Sequence, residues 1–244
     1  MGAALFWGAV AGSSLVLGAL IAMFTQVSMR LLGLVMAFGA GVLISAVAYE
    51  LVSEAFDTAD GPWAVPLGLF GGAATFFVGD TLIDRYGGGG NRKRSSGEQA
   101  SGSPLAILLG TVLDGIPESI VLGLTIVQGG GVSAAILAAV FLSNLPEAIA
   151  ATSGLTRAGW SRRNTIMLWL LVALVTALSS LAGYVFFDDA SGSAIAFVLS
   201  FAAGAILTML ADTMMPEAFD HGGKLVGLAT TFGFAVAFAI SALE

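Results

Sequence analysis

Two Pro-Glu pairs lie inside apolar stretches of the sequence, LDGIPESIVLG at 113–123 and LSNLPEAIAAT at 142–152. In a helix, residues four positions apart share a face, so Asp114 lies beside Glu118 and Ser143 beside Glu147. A carboxylate in the middle of a membrane helix costs about 2.5–3.5 kcal/mol on insertion scales. These acidic residues therefore indicate a function rather than packing alone.

The prolines and an amide add oxygen ligands to the same stretches. Pro117 and Pro146 have no N–H to donate to the carbonyl four residues earlier, which leaves that carbonyl open beside the carboxylates. Asn144 precedes the second Pro-Glu pair by two positions. A helix kink alone would explain each proline but not the glutamate after it. Neither stretch contains Lys or Arg, so we expect protons or a transported cation to balance the charge.

The elements that position these residues are apolar and long. The chain has 244 residues, of which 57% are hydrophobic and 10% charged, a composition typical of a polytopic membrane protein. Eight stretches are long enough to cross about 30 Å of hydrocarbon as helices. We predict an all-α fold with one transmembrane domain over 1–244 and eight spans, at about 3–24, 31–54, 63–84, 105–127, 132–155, 165–187, 194–216 and 225–243. There is no cysteine, so thiolate metal sites are excluded.

Charge placement predicts the topology of these spans. All nine basic residues follow spans 1, 3, 5 and 7, namely Arg30, Arg85, Arg92, Lys93, Arg94, Arg157, Arg162, Arg163 and Lys224. By the positive-inside rule these loops are cytoplasmic, and both termini are outside. The polar, glycine-rich stretch 86–103 is predicted to be a flexible cytoplasmic linker. The first span lacks the basic start and cleavage site of a signal peptide, so we interpret it as a membrane helix.

The sequence also contains an internal repeat. An offset of 163 positions aligns 38–57 with 201–220 at eight of twenty identical positions, and both segments end in Glu-Ala-Phe-Asp. The predicted topology makes the two segments run in opposite directions, as in the inverted repeats of alternating-access transporters. Spans 1–3 and 6–8 would form this repeat around spans 4 and 5. A shared composition of small residues is the alternative explanation.

Further acidic residues lie near the ends of spans 2 and 7. Glu50 and Glu54 are one turn apart at the predicted outer end of span 2, and Asp212 and Glu217 lie at the predicted inner end of span 7. We interpret them as entrance and exit positions for an ion. Ordinary interfacial charges are the alternative, more so for Glu54 and Glu217 than for the other two.

The pattern of spans, linker and Pro-Glu motifs resembles the ZIP family of divalent-metal transporters over essentially the whole chain. The resemblance implies a metal site in the middle of the membrane, formed here by Asp114, Glu118, Ser143, Asn144 and Glu147 with Asp212 of the span 7 motif. The family's two pore histidines are replaced by Asp114 and Ser143. Zinc prefers nitrogen and sulfur ligands, whereas oxygen ligands suit manganese or ferrous iron.

We therefore expect a ZIP-like carrier of zinc, manganese or iron into the cytoplasm, resident in the plasma membrane. The alternative is a proton- or cation-coupled carrier of another small solute on the same scaffold; a transport-inactive relic is a further alternative. An enzyme is disfavoured, since the chain has no cysteine and a single histidine in a predicted loop. The expected partners are the metal ion and the lipid bilayer, with no nucleic acid and no resident cofactor; a homodimer stays open.

Overall fold

A computed structural model describes residues 1–86, 104–129 and 131–243. Most of the predicted linker 86–103 lies outside the described residues, and with it Arg92, Lys93 and Arg94. The described residues form helices joined by short turns and contain no strand. The helices are α1 Gly2–Phe24, α2 Met29–Ala46, α3 Ser53–Thr58, α4 Ala64–Tyr86, α5 Pro104–Gly129, α6 Ala134–Arg157, α7 Arg162–Phe187, α8 Gly192–Met209, α9 Met215–Gly222 and α10 Val226–Ser241.

Serine residues mark where several of these helices begin. Ser28, Ser133, Ser161 and Ser191 are the N-cap residues of α2, α6, α7 and α8, and each hydroxyl accepts a hydrogen bond from a backbone N–H three residues later. This contact satisfies one of the free N–H groups at the helix start. The short turns between helices are therefore encoded locally by the sequence.

Two helices pass through π-helical segments. The segment Val47–Val52 joins α2 to α3, and the segment Leu210–Met214 joins α8 to α9. Their first residues are 163 positions apart, the same offset as in the sequence repeat. A π segment widens the helix locally and often marks a functional site. Both segments carry an acidic residue, Glu50 in the first and Asp212 in the second.

Seven helical stretches in the described part of the chain are long and apolar enough to cross a membrane. The last of them, Gly192–Ser241, has 50 residues, more than one crossing needs. It is interrupted by Gly223, whose φ of 63° starts a 3-10 turn before α10. The eight spans stay a prediction. The interruption at Gly223 lies between the predicted spans 7 and 8.

The helices pack as two groups. Group 1 consists of α1, α5, α6 and α7, and group 2 consists of α2, α3, α4, α8, α9 and α10 with both π segments. The groups meet mainly where α2 contacts α6 and where α5 contacts α8. In group 1, the backbones of Gly123 and Gly183 lie directly against the carbonyls of Ser180 and Ile120, so α5 and α7 approach closely.

Glycines give group 2 the same close packing at two places. The backbone of Gly41 in α2 lies against the Thr230 carbonyl of α10, and that of Gly204 in α8 lies against the Leu69 carbonyl of α4. Gly41 and Gly204 are 163 positions apart, so equivalent residues of the sequence repeat make equivalent helix contacts. A side chain at either glycine would overlap the facing backbone.

The bundle has two ends, which contacts between helix termini define. End A is the end where Ser180 donates to the Ala4 carbonyl at 3.0 Å and where Asp60 accepts from the backbone N–H of Ser193 at 3.1 Å. End B is the end where the Arg162 guanidinium lies 5.5 Å from the centre of the Phe24 ring. The described basic residues occupy helix termini at end B: Arg30, Arg85, Arg157, Arg162, Arg163 and Lys224.

Candidate functional site

Three carboxylates are buried in the middle of α5 and α6. Asp114 and Glu118 of α5 are 3% and 2% exposed, and Glu147 of α6 is 2% exposed. Both helices belong to group 1, and the carboxylates lie about midway along them. In the described part of both helices, basic residues occur only in the last turn of α6, as Arg157. The middle of group 1 therefore contains three buried acidic side chains and, in the described parts of α5 and α6, no basic side chain near them.

Ser143 and Asn144 are buried beside Glu147 on α6. The Ser143 hydroxyl donates to the Val140 carbonyl at 3.1 Å, which leaves its oxygen lone pairs able to accept or to ligate. The side-chain nitrogen of Asn144 is buried without a hydrogen-bond partner. A buried amide nitrogen without a partner is uncommon in folded proteins and indicates a place for a hydrogen-bond acceptor such as water.

The two prolines lie within continuous helices, Pro117 in α5 and Pro146 in α6. Because Pro146 cannot donate to the Leu142 carbonyl, this oxygen is open to other contacts. Gly39 of α2 approaches it so closely that a Cβ atom on Gly39 would lie 3.0 Å from the oxygen. The second Pro-Glu motif thus lies where group 1 meets group 2.

Asp114 and Glu118 line two neighbouring cavities. The Glu118 cavity is at most about the size of one water molecule, and its walls include Leu43 and Val47 of group 2. The Asp114 cavity is too narrow for a water molecule and lies against α4 and α8. Ile206 of α8 is part of both walls. Apart from the carboxylates, the cavity linings are aliphatic and aromatic side chains with Pro117.

The acidic side chains do not gather at one point in this structure. Within the described ranges, no three residues among His, Cys, Asp and Glu are placed to hold one metal ion together. The donor set available along α5 and α6 is therefore carboxylate, amide and hydroxyl oxygen, distributed over the middle of group 1. Such oxygen donors suit hard or borderline divalent cations.

The predicted entrance and exit residues have different environments. Glu54 is exposed and accepts a hydrogen bond from the Thr58 hydroxyl at 3.2 Å, whereas Glu217, at the equivalent position of the repeat, is 2% exposed. Glu50 is half-buried and hydrogen-bonded to two serines. Asp212 lies on the exposed side of its π segment, so its role as a metal ligand stays a prediction.

The predicted site residues did not include Thr213, although it lies next to Asp212 in the span 7 motif. It follows Asp212 in the π segment and is 4% exposed, and its hydroxyl oxygen is buried without a hydrogen-bond partner. An offset of 163 places Thr213 at the position equivalent to Glu50, which is the signal that could have identified it.

The sequence comparisons add one relative. A protein of Arabidopsis thaliana, provisionally named a zinc transporter, is 25% identical over 231 residues, which are 93% of this chain and 36% of the relative. The chain thus spans about a third of the length of this curated relative. No family model matches the sequence.

This relative and the membrane-length helices point the same way. The chain is a helical membrane protein with a relative that is named for zinc transport. The prediction of a membrane protein concerned with metal transport fits these findings. The resemblance to the ZIP family itself belongs to the proposal below.

Proposed function

We propose that the chain is a ZIP-like transporter that carries a divalent metal ion across the plasma membrane into the cytoplasm. The observation that carries the proposal is the burial of Asp114, Glu118 and Glu147 in the middle of two apolar helices. A mobile divalent cation would neutralise these carboxylates, which otherwise cost several kcal/mol in such surroundings. The named function of the Arabidopsis relative supports the same cargo class.

The proposed ligands are Asp114, Glu118 and Glu147 with the oxygens of Ser143 and Asn144, and Asp212 stays a candidate from the family resemblance. The family resemblance favours zinc as the transported metal, whereas the oxygen ligands favour manganese or iron. Since Asp114 and Glu118 line separate cavities here, they would be successive contacts of the ion along its path rather than simultaneous ones.

We propose eight spans in an inverted repeat as the scaffold for this transport. The two π segments begin 163 residues apart, and Gly41 and Gly204, also 163 apart, make equivalent carbonyl contacts. Both observations support a repeat beyond shared composition. Transport would consist of a displacement of group 1, which holds the carboxylates, against group 2.

The orientation of this movement follows from charge. The basic residues of the described helix termini gather at end B, which supports end B as the cytoplasmic end. Metal would then enter from end A, where Glu50 and Glu54 lie, and leave towards Glu217. Both chain termini would be outside.

Metal uptake by purified protein in liposomes tests the function. We expect zinc, manganese or iron to accumulate in a protein-dependent manner, and Glu118→Gln and Glu147→Gln to lower the uptake at least about tenfold by removing ligand charge. The matched control is Asp188→Asn, which changes an exposed carboxylate at end A. Unchanged uptake by both glutamine variants, with the control also normal, would refute a site on α5 and α6.

A further inference from the structure

Glu50 is hydrogen-bonded to two serines from different helices. The Ser241 hydroxyl donates to Oε1 of Glu50, and the Ser133 hydroxyl donates to Oε2 at 3.3 Å. Ser241 is the last residue of α10, and Ser133 is the N-cap residue of α6. One carboxylate thus connects a π segment with two helix ends at end A.

These contacts lie at the edge of the Glu118 cavity. Val47 and Leu51, on either side of Glu50 in the π segment, line this cavity, and so does Ile136, one turn after Ser133. The Glu50–Ser133 hydrogen bond therefore crosses the same gap between the π segment and α6 that the cavity occupies. The hydrogen bond lies at the part of this gap that is nearer to end A.

The two serines belong to different helix groups. Ser241 ends α10 of group 2, the group that contains Glu50, whereas Ser133 begins α6 of group 1. The bond to Ser241 therefore orients the Glu50 side chain within its own group. The bond to Ser133 connects the two groups, and any displacement of one group against the other must stretch or break it.

We propose that Glu50 is a latch which closes the Glu118 cavity at end A through its hydrogen bond to Ser133. This role differs from that of an ion ligand at the entrance, because it depends on the hydrogen bond from Ser133, which joins the two helix groups. The latch rests on the proposed transport function only in one respect, namely that its closure would control the access of a metal ion to the cavity. A hydroxyl–carboxylate bond is strong enough to bias two arrangements and weak enough to break during each cycle.

Two substitutions of Ser133 separate the latch from the helix cap. Asn and Asp both cap helix starts about as well as Ser, so either should preserve the start of α6. The amide of Ser133→Asn can still donate to Glu50, whereas the carboxylate of Ser133→Asp cannot donate and repels it. The two variants differ only in that the asparagine has an NH2 group where the aspartate has a second carboxylate oxygen.

The chain has no cysteine, so a single reporter thiol gives a clean measurement. Ala139→Cys places the thiol in the wall of the Glu118 cavity, and the rate of its modification by a charged, water-soluble methanethiosulfonate in detergent reports opening. Compared with the protein that keeps Ser133, we expect Ser133→Asp to raise the rate of modification about tenfold or more and Ser133→Asn to change it little. A reporter at the exposed Gly61 should react equally fast in all three proteins.

Glu50→Ala provides an independent test of the same bond. It should raise the rate as Ser133→Asp does, and the two changes together should add little to either alone, since both remove the hydrogen bond between Glu50 and Ser133. Equal modification rates in all the Ser133 proteins, or fully additive effects of the two changes, would overturn the latch. Because the thiol assay needs no metal, absence of uptake in liposomes would refute the transport function and leave this result standing.

Discussion

Asp114 and Glu118 lie one helical turn apart on α5, but their side chains line different cavities. Ile206 of α8 is part of the wall of both, and it is 4% exposed. One side chain of group 2 thus borders the cavities of two carboxylates of group 1. On the proposed transport path, an ion that moves from Glu118 to Asp114 would pass beside this side chain.

We predict that Ile206 limits the rate of this passage. Ile206→Ala should join the two cavities, admit water and raise the initial rate of metal uptake in liposomes, while Ile206→Phe should lower it. The alanine variant should also lose about 2–5 kcal/mol of stability, as expected for removing a buried isoleucine. Ile195→Ala is the control, since Ile195 lies on the same helix and lines neither cavity. Equal uptake by the alanine and phenylalanine variants would contradict the prediction.

The metal preference should respond to nitrogen ligands in the site. Asp114→His with Ser143→His introduces two imidazoles, and the ratio of zinc to manganese uptake should rise about tenfold. Asp114→Asn with Ser143→Ala is the control that alters the same positions without adding imidazole. Competition between the two metals in liposomes measures the ratio. A native protein that already prefers zinc strongly, and that keeps this preference in the double variant, would show that neither residue binds the ion.

Close helix packing in group 2 should make two glycines sensitive to a single methyl group. Gly41→Ala and Gly204→Ala would each overlap a facing carbonyl, so each should lower the free energy of unfolding by about 1–3 kcal/mol. At Gly71 the nearest atom to a new Cβ is 3.7 Å away, an ordinary contact, and Gly71→Ala should have little effect. Thermal unfolding in detergent measures all three. Equal losses at Gly71 and Gly204 would contradict the packing explanation, because helix propensity alone favours alanine over glycine at both positions.

The topology can be measured with cysteines at opposite ends of the bundle. A thiol at Gly61, exposed at end A, should react with an impermeant reagent added outside intact cells. A thiol at Asn164, exposed near Arg162 and Arg163 at end B, should react only after the membrane is opened. The reverse pattern would invert the proposed entrance and exit.

The sequence alone determined the helical membrane character of this protein. Long apolar stretches bounded by serine caps form helices because the backbone must satisfy its own hydrogen bonds in hydrocarbon. The sequence also identified Asp114, Glu118 and Glu147 as unusual, because the cost of an acidic residue in an apolar stretch does not depend on the tertiary fold. The burial of all three agrees with that expectation, while their role as ligands stays a prediction.

Only the tertiary structure decided how these residues are distributed in space. Spacing places Asp114 and Glu118 on one helix face, but in the fold they line different cavities, and Ile206 of α8 belongs to the walls of both. The same holds for Glu50, whose serine partners are 83 and 191 positions away in sequence. Periodicity describes one helix at a time, and contacts between distant helices depend on which faces pack together. The burial of Thr213 and the exposure of Asp212 next to it depend in the same way on the packing around their π segment.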